Sequence, residues 1–397
     1  MKIAILTSGI LPVPAVQGGA VENLIDFYLE YNDCHRLHDI TVYSVGHPGV
    51  SNHPALKSKA NHYRYIDTTS LKAKVLRKLR QWCKPRGDYY NNFIEYYLDR
   101  ALRDIRRQHY DLIILENRPG YALKLQSTSS RLVLHLHNDL LNSTTRSNVA
   151  VFNSLNRILT VSDYIKGRVS TIAPDSNKSS KILTIHNGID LSRFSQQAVS
   201  AVNRSELGFT ADDFVLVFSG RINRDKGISE LIDALLLLGE LNDLKLLVIG
   251  STFFGNASSD DNFTLQLKQK AQPIERRLVF TGFVDYSLMP SYLQLADVAV
   301  VPSVWDDPFP TTVLEAQAMG LPLIVSNRGG IPEEIGHDNA LVVETGDGYA
   351  QRLADAISHL YHYRDELAAM GESSKKRSMY FNKERFAADF FNALTAI

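Results

Sequence analysis

The segment DFVLVFSGRINRDKGISELIDALLLLGEL, residues 213–241, contains a complete strand–loop–helix unit. Its first part, DFVLVFSG, is a short apolar run rich in valine and phenylalanine, which is typical of a buried strand. Its last part, ISELIDALLLLGEL, repeats leucine and isoleucine at helical spacing. Because a strand that leads directly into a helix is the repeating unit of parallel sheets covered by helices, the segment predicts an α/β domain.

The same unit recurs along the whole chain. In the second half, further strands are predicted at LKLLVIGS, LVFTGFV, VAVVPS and LPLIVS, with helices between them. In the first half, strands are predicted at KIAILTSG, DITVYSV, YDLIILEN, RLVLHLHND, RILTVSD and KILTIHNGID. The sequence therefore predicts two doubly wound α/β domains, joined by the polar and aperiodic segment 192–209.

The composition is that of an ordinary globular protein. The 397 residues, of which 44% are hydrophobic and 22% charged, suffice for two or three domains. Two cysteines, Cys34 and Cys83, exclude a disulfide scaffold and indicate a reducing compartment. The start, MKIAILTSGILPVPAV, is too interrupted for a signal peptide, and no stretch approaches the roughly 18 to 20 apolar residues of a membrane span. We expect a cytoplasmic protein.

Charge is distributed unevenly although the net charge is zero. Residues 1–196 have 26 Lys and Arg against 16 Asp and Glu, which is +10, and residues 197–397 have 17 against 27, which is −10. This asymmetry indicates either an anionic partner for the first half or attraction between two domains.

Basic and aromatic residues are concentrated between 57 and 107, where LKAKVLRKLRQW predicts an amphipathic helix. That helix either lies on an anionic membrane or is a core helix with a solvated face. No RNA-binding signature is present, so nucleic acid is not expected.

Several common chemistries lack their signatures in this sequence. The dinucleotide fingerprint G-x-G-x-x-G and the P-loop G-x-x-x-x-G-K-[ST] are both absent from the strand–helix turns. The histidines and cysteines show no metal-ligand spacing, and the hydrolase motif G-x-S-x-G is also absent. Dehydrogenase, ATPase and hydrolase functions are therefore disfavoured, and we expect neither a bound metal nor a cofactor.

Residues at the carboxyl ends of the strands are candidates for a site, because ligands of open α/β sheets bind there. Gly18 and Gly19 precede the first helix, where bare backbone can approach a phosphate, although a turn without function has the same pattern. His135 and His137 alternate in LHLHND, and we expect them on opposite faces of the strand. His137 is nearer the strand end and therefore better placed for a ligand, although a strand histidine is more often structural.

Two cations are the first candidates in the second half. Arg221 and Lys226 lie in the turn SGRINRDKG, which follows a predicted strand. Their spacing suits the clamping of a diphosphate at the mouth of a crevice, whereas the alternative is a solvated loop.

Two acidic residues of WDDPFPTTVLEAQAMG, residues 305–320, are the other candidates. The prolines delay the helix to about Thr311, so the exposed amides of its first turn form an anion site. Glu315 lies one turn later on the same face and could accept hydrogen bonds from ribose hydroxyls. Asp307, on the loop, could reach a sugar beyond the phosphates. The alternative is a charge at a helix start and a solvated glutamate.

Taken in order, these segments resemble the family-4 glycosyltransferases of the GT-B fold. The resemblance covers nearly the whole chain and rests on LTVSDYIK, IHNGID, SGRINRDKG, LLVIGS, FTGFV and PSVWDDPFPTTVLEAQAMGLPLIVSNRGGIPE. The E-x7-E pattern of the family reads D-x7-E here, with Asp307 and Glu315 at its ends, and Pro310 stands where the family has a glycine. Both differences concern the recognition of the sugar.

The resemblance implies two facing Rossmann-like domains with a nucleotide-sugar donor in the cleft between them. It implies an acceptor-binding domain over 1–195, a donor-binding domain over 196–376, and a C-terminal helix over 377–397 that crosses back to the first domain. Catalytic contributions are expected from His137, Asp307, Arg221 and Lys226. The donor-binding residues that the resemblance implies are Gly18, Gly19, Asn187, Gly220, Arg221, Lys226, Gly282, Phe283, Val284, Asp307, Pro310, Thr311, Thr312 and Glu315.

The implied function is a retaining, metal-independent glycosyltransferase of the hexosyltransferase type. It would move a sugar from a nucleotide-diphosphate sugar, with a UDP-sugar as the default, to a glycan or polyprenyl-phosphate-linked acceptor in surface polysaccharide biosynthesis. It would work in the cytoplasm, with peripheral binding to the inner face of the membrane as an open alternative. A nucleotide-sugar epimerase or a non-catalytic GT-B partner protein is the alternative function, and no motif specifies the sugar or the acceptor.

Overall fold

A computed structural model describes residues 1–83, 92–173, 180–195, 199, 202–251 and 262–395. The chain divides into two compact units, one formed by Met1–Asn187 with Glu384–Ile397 and the other by Gly188–Lys383. Each unit contains one parallel sheet with helices between successive strands, as the repeated strand–helix pattern predicts.

The first unit has a seven-stranded sheet in its described residues. Its strands are β1 (Lys2–Leu6), β2 (Asp39–Val45), β3 (Asn61–Ile66), β4 (Leu112–Glu116), β5 (Arg131–Leu136), β6 (Arg157–Thr160) and β7 (Ile182–Thr184). They are arranged in the order β3-β2-β1-β4-β5-β6-β7. The helices before the second unit are α1 (Ala20–His35), α2 (Leu71–Cys83), α3 (Asn92–Ile105), α4 (Tyr121–Leu125), α5 (Asn148–Ser154) and α6 (Asp163–Ser170).

The second unit has a six-stranded sheet in its described residues. Its strands are β8 (Phe214–Ser219), β9 (Leu244–Ile249), β10 (Leu278–Gly282), β11 (Val298–Val301), β12 (Leu323–Ser326) and β13 (Ala340–Val343). They are arranged in the order β10-β9-β8-β11-β12-β13. Its helices are α7 (Ile228–Leu237), α8 (Asn262–Lys270), α9 (Met289–Leu293), α10 (Thr311–Ala318), α11 (Ile331–Glu334), α12 (Tyr349–His362) and α13 (Glu366–Ser378), and α14 (Lys383–Thr395) ends the described chain.

The central strands are apolar on both faces because helices cover both sides of each sheet. Four consecutive residues of β1, Ile3 to Leu6, are fully buried, and β8 and β9 show the same continuous burial. Burying each such side chain contributes roughly 1.5 to 3 kcal/mol relative to leaving it exposed. This burial is the physical basis of the uninterrupted apolar runs in the sequence.

Helix α14 packs into the core of the first unit. The ring of Phe390 stacks on Tyr28 with ring centroids 4.2 Å apart, and Phe386 and Phe391 contact the same tyrosine. All four rings belong to one apolar cluster that includes residues of β1, β2, β4 and β5. The end of the chain is therefore part of the same core as its beginning.

The units change at 187/188 and 383/384, whereas the resemblance implied boundaries at 195/196 and 376/377. The segment after Gly188 belongs to the second unit because Ile189 and Asp190 bind its last residues. The Ile189 amide donates to the Phe381 carbonyl over 2.8 Å, and Lys383 forms an ion pair with Asp190 over 2.8 Å. Part of the predicted linker lies outside the described residues, and its end is packed, with Phe209 buried.

Strand β3 was not predicted. It lies in the basic and aromatic region, where exposed His62 and Arg64 alternate with partly buried Tyr63 and Tyr65. The strand pairs with β2 at the edge of the sheet, so its composition is that of an edge strand, without the long apolar run that marks the central strands.

Helix α2 confirms the predicted helix in the basic region, and its apolar stripe faces outward. Leu71, Val75 and Leu79, at successive helical turns, are 81%, 52% and 56% exposed, and Ala73 is buried. The interpretation as a core helix with its apolar side buried is therefore wrong for these three residues. The predicted contribution of Trp82 lies outside the described side chains. Across the described ranges of the chain, every helix is too short or too polar to cross a bilayer.

Candidate functional site

In each sheet the strand order reverses beside the first strand of the unit. In the second sheet β8 lies between β9 and β11, and in the first sheet β1 lies between β2 and β4. The loops after the two strands at such a reversal diverge and leave a crevice beyond the carboxyl ends, which is where open α/β sheets bind ligands. The side-chain clusters described below lie at these two positions.

An ion pair joins the loops after β8 and β11. Lys226 binds the carboxylate of Asp307, and the side chains are 20% and 6% exposed, so the pair is largely shielded from water. The sequence suggested a diphosphate ligand for Lys226 and a sugar ligand for Asp307. The structure brings the two residues together, and each neutralises the charge of the other.

Close backbone contacts hold these two loops in place. The Val304 amide donates to the Asp225 carbonyl over 2.9 Å, and a Cβ on Gly227 would lie 1.8 Å from the Pro302 carbonyl oxygen. The loop after β12 packs equally tightly, because a Cβ on Gly329 would lie 2.1 Å from the Asp307 carbonyl oxygen. Both glycines have positive φ, which side chains rarely adopt. Only glycine permits this approach of the loops.

Glu315 lies in the second turn of α10 and is buried, with 4% of its surface exposed. Burial raises the pKa of Glu315 to about 7, and hydrogen bonds from Thr311 and Tyr286 only partly oppose this effect. The Tyr286 ring is covered in turn by the Arg193 guanidinium, 5.0 Å from its centroid. The alternative, a solvated glutamate, is wrong, because this carboxyl is enclosed by protein groups.

The other predicted residues of the second unit lie along the same carboxyl edge. Gly220 follows β8 and Gly282 ends β10, and both contact Gly250, whose amide donates to the Gly282 carbonyl over 3.0 Å. Arg221 is exposed beside Gly220. Pro310 precedes α10. The partly buried members of this set are Phe283, Val284, Thr311 and Thr312.

Glu334, which sequence reasoning missed, lies at the end of α11 and is fully buried. Neither of its carboxyl oxygens has a hydrogen-bond partner among the described residues. Burial raises its pKa well above the usual range, and the charge of Asp307 adds to this effect while Lys226 opposes it. The carboxyl of Glu334 therefore interacts electrostatically with both Lys226 and Asp307. The doublet in IPEE gave no sign that one of its glutamates is buried.

In the first unit, Gly18 and Gly19 precede α1 as predicted, both with positive φ. The carboxyl of Glu22, in the first turn of the helix, closes over Gly19, where a Cβ would lie 2.3 Å from Oε2. Burial raises the pKa of Glu22 to about 7, while hydrogen bonds, including one from Ser8, oppose the shift. The helix start predicted to bind phosphate thus has a buried acidic group against it.

Glu116, at the end of β4, is the centre of a buried cluster. His135 Nδ1 lies 3.2 Å and His137 Nε2 lies 3.1 Å from its Oε2, and Tyr28 donates to Oε1 over 2.9 Å. The same rule that selected His137, a polar residue at the carboxyl end of a strand, would have selected Glu116 in YDLIILEN. Sequence reasoning missed it because a single acid within an apolar run has no recognisable spacing.

The expectation that His135 and His137 face opposite sides is wrong. Their ring centroids are 4.1 Å apart, and both rings contact Glu116. Side chains alternate with a period of two along a strand, so residues two apart share a face. His135 is fully buried against Phe386 and Phe390 of α14, whereas His137 follows the end of β5.

Two members of the cluster, Glu116 and His137, have lowered pKa values. Burial alone would raise the pKa of Glu116, but His135 and His137 outweigh it and lower the pKa to about 2. Burial lowers the pKa of His137 to about 4, His135 adds to this, and Glu116 opposes it. At neutral pH Glu116 is therefore a carboxylate and His137 a neutral imidazole.

Glu116, His135 and His137 also form a group whose ligand atoms lie within 4.8 Å of one another, close enough to hold a metal ion. The sequence had indicated no such group, because its members come from two strands. Two imidazoles and a carboxylate suit Zn²⁺ or Fe²⁺. The contacts of 3.1 to 3.2 Å are ordinary hydrogen bonds that already satisfy the carboxylate.

Asn187 is the last residue of the first unit and is buried. It precedes Gly188 and Ile189, whose backbone belongs to the second unit. The predicted residue is thus placed where the chain passes from one unit to the other.

Comparison with known proteins gives a family match within the second unit. Residues 200–377 match the family described as "Glycosyl transferases group 1". YtcC of Bacillus subtilis (strain 168) is 28% identical over 389 residues, which cover 95% of this chain and 87% of YtcC. An Escherichia coli UDP-Gal:alpha-D-GlcNAc-diphosphoundecaprenol alpha-1,3-galactosyltransferase is 30% identical over 188 residues, which cover 45% of this chain and 43% of that protein.

Among solved structures, Anabaena Alr3699/HepE, crystallised in complex with UDP and glucose, is similar over 100% of both chains, with a TM-score of 0.74 and 21% identity. At this identity the likeness shows the fold. Residues 200–377 of this chain therefore match the glycosyl transferases group 1 family, and the fold of the chain is that of the GT-B glycosyltransferases.

Proposed function

We propose that the protein is a retaining glycosyltransferase that moves a sugar from a UDP-sugar to a glycan or lipid-linked acceptor in surface polysaccharide biosynthesis. The observation that carries the proposal is the arrangement at the β8/β11 reversal. There a buried carboxyl, Glu315, a partly buried cation, Lys226, and the start of α10 lie on neighbouring loops and helices of one unit. These are the groups that a nucleoside diphosphate needs: a ribose acceptor, a phosphate cation and free amides.

The predicted donor-binding residues of this unit have the following proposed roles. Arg221 and Lys226 bind the diphosphate, and the first amides of α10, around Thr311, bind the phosphate or sugar. Glu315 accepts the ribose hydroxyls in place of Tyr286 and Thr311, which donate to it in the structure. The segment Gly282–Val284 lines the base site. The complex of HepE with UDP and glucose supports UDP as the nucleotide.

We propose that these cations and amides replace a metal. A nucleoside diphosphate is a good leaving group once its charge is neutralised, and fixed cations and a helix start can do this. With retention of configuration, the acceptor attacks from the face that the phosphate leaves, and the phosphate takes its proton. The glycosidic bond to the phosphate breaks as the bond to the acceptor oxygen forms.

In the first unit, His137 is proposed to contact the donor sugar. Its neutral ring donates through Nε2 to Glu116, which leaves Nδ1 as an acceptor without a partner in the described part of the chain. That state suits a hydrogen bond from a sugar hydroxyl. Glu116 would then act as a positioning residue, because it selects the tautomer of His137.

The acceptor is proposed to be lipid-linked and reached at an anionic membrane surface. Helix α2 supports this, because the exposed Leu71, Val75 and Leu79 are flanked by exposed Lys72, Lys74 and Lys78. An apolar stripe with cations beside it is complementary to acidic headgroups, and each lysine near such a surface contributes about 1 kcal/mol. The diphosphoundecaprenol-linked acceptor in the name of the Escherichia coli relative supports the same acceptor class.

Flotation with liposomes tests the membrane contact. We expect wild-type protein to float with vesicles that contain phosphatidylglycerol and to be released at about 0.5 M NaCl. The variant Val75→Glu/Leu79→Glu should not float. Leu265→Glu is the matched control, since Leu265 is 53% exposed on α8, and it should float as wild type does. Flotation that ignores salt, or that survives the double substitution, would exclude α2 as the contact.

Donor binding and coupled product release test the function itself. We expect calorimetry to show binding of UDP over GDP, ADP and dTDP. Release of UDP from a UDP-sugar should require a lipid-linked glycan, and the product should retain the anomeric configuration by NMR. Interconversion of the free nucleotide sugar without an acceptor would indicate an epimerase. Absence of binding to all four nucleotides would contradict the proposal.

A further inference from the structure

We infer that Lys226 changes partner during the reaction and that Asp307 competes with the nucleotide for it. Asp307 holds Lys226 in an ion pair, and once a nucleoside diphosphate binds, the lysine is shared with or transferred to the phosphate. Asp307 thereby weakens the binding of the free diphosphate product and favours its release. The inference rests on the proposed function, in which Lys226 binds the donor diphosphate.

The competition is strong because the pair is shielded from water. The Asp307 side chain is 6% exposed and that of Lys226 is 20% exposed, so their attraction is screened less than that of a surface pair. Separating a largely buried pair leaves a charge without a counter-charge, which is unfavourable unless a new partner replaces it. An arriving diphosphate supplies that partner for Lys226.

The exchange requires movement of the lysine side chain alone. The loops that hold the two residues are tied by the Val304–Asp225 backbone hydrogen bond of 2.9 Å and by the close contact of Gly227 with Pro302. Gly330 donates to the Asp307 carbonyl over 2.8 Å and holds the loop from the other side. The four-carbon stem of lysine can redirect its ammonium group between acceptors without such constraints.

The surroundings of Asp307 make Lys226 its effective counter-charge. The neighbouring Asp306 forms its own ion pair with Arg328 over 3.1 Å, so that cation is already engaged. Glu334, buried and without a hydrogen-bond partner among the described residues, has a pKa raised well above the usual range and is a neutral acid, so it does not compete with Asp307 for Lys226. A phosphate that approaches the Asp307 carboxylate is repelled unless Lys226 turns toward it.

Calorimetric titration with UDP across a double-mutant cycle tests the inference. We expect Asp307→Asn to bind UDP about tenfold more tightly than wild type, because Lys226 is then free for the phosphate. In the background of Lys226→Met, the same substitution should change UDP affinity less than about twofold. Asp306→Asn is the matched control, since it removes the adjacent carboxylate and its pair with Arg328, and it should leave UDP affinity unchanged. Asp307→Ser provides a second variant should the asparagine fail to fold.

The outcomes separate this inference from the function on which it rests. If wild type binds UDP and Asp307→Asn or Asp307→Ser binds it equally or more weakly, the competition is wrong and the donor site stands. If Asp307→Asn tightens UDP binding equally with and without Lys226, Asp307 acts by direct repulsion and the exchange of partners is wrong. If wild type binds no nucleoside diphosphate, the donor site itself is wrong.

Discussion

Replacing Glu315 with alanine is expected to reduce sugar transfer by about a thousandfold, because a buried site built to accept ribose hydroxyls would lose its acceptor. The carboxyl is enclosed by Thr311 and Tyr286, so water replaces it poorly. Affinity for UDP should fall together with transfer, since the ribose is present in donor and product alike. Initial rates with a UDP-sugar and calorimetry with UDP are the measurements.

A second measurement on Glu315 distinguishes a buried functional acid from a structural one. Its folded pKa, about 7, lies above the unfolded value near 4.5, so its proton favours the folded state below pH 4.5 and this stabilisation is lost as the pH rises through 7. Glu315→Gln should therefore raise the melting temperature at pH 8 relative to wild type, with a smaller gain or none at pH 5. At pH 8 the expected gain of Glu315→Gln over wild type in the free energy of unfolding is about 3 kcal/mol.

Sugar transfer is expected to fall while the melting temperature at pH 8 is expected to rise, and this combination makes the test specific. A residue retained for stability would lower the melting temperature at both pH values when replaced by glutamine. Replacing a residue retained for ligand binding removes activity and raises the melting temperature at high pH. Glu315→Gln with wild-type transfer rates would contradict the proposed ribose contact.

Replacing Glu116 with alanine is expected to lower the free energy of unfolding by about 3 to 5 kcal/mol, because it leaves two buried histidines and a tyrosine hydroxyl without their common acceptor. All contacts of the carboxylate are within 3.3 Å, and the group is fully buried in the first unit. Urea unfolding at pH 7 measures the loss. Glu116→Gln, which keeps the size of the side chain, should lose less.

Asp39→Ala is the matched control, because Asp39 also forms a carboxylate–histidine pair in the first unit. Its contact with His62 is 3.3 Å long, but both side chains are more than half exposed. The expected loss is below about 1 kcal/mol, since solvent screens such a pair. Equal losses at Glu116 and Asp39 would contradict the burial of the Glu116 cluster.

The effect of Glu116 should also depend on pH in a defined direction. Its folded pKa, about 2, lies below the unfolded value near 4.5, so its stabilisation is present above pH 4.5 and is lost as the pH falls toward 2. The folded pKa of His137, about 4, also lies below its unfolded value, so its neutral form favours folding above about pH 6.5. Both groups therefore make the first unit less stable in acid, and the difference between wild type and Glu116→Ala should shrink there.

The fold was predictable because its signal is local. Continuous apolar runs followed by helices predict central parallel strands, and β1, β4, β8 and β11 lie where KIAIL, LIILE, FVLVFS and VAVV indicate. Edge strand β3 was not predicted because polar residues occupy its solvent-facing positions, so it lacks a continuous apolar run. The backbone pairing of Ile189 with residues 381–383 was not predictable, because it joins segments far apart in sequence.

The candidate site was predictable only where a residue follows a strand in a recognisable segment. Lys226, Asp307 and Glu315 satisfy that condition, and the structure places them at one strand reversal. Glu334 and Tyr286 do not satisfy it, since their importance comes from what surrounds them. The burial of Glu334 and the hydrogen bond from Tyr286 to Glu315 depend on packing between segments distant in sequence.

The sequence by itself determined the two parallel sheets and the residue types at their carboxyl edges, because hydrophobic periodicity and strand–helix alternation are properties of neighbouring residues. The tertiary structure decided which charges meet. It placed Asp307 on Lys226, both histidines on Glu116, and Glu315 out of water. The physical reason is that electrostatic energies and pKa values depend on distance and burial in three dimensions, and spacing along the chain specifies neither.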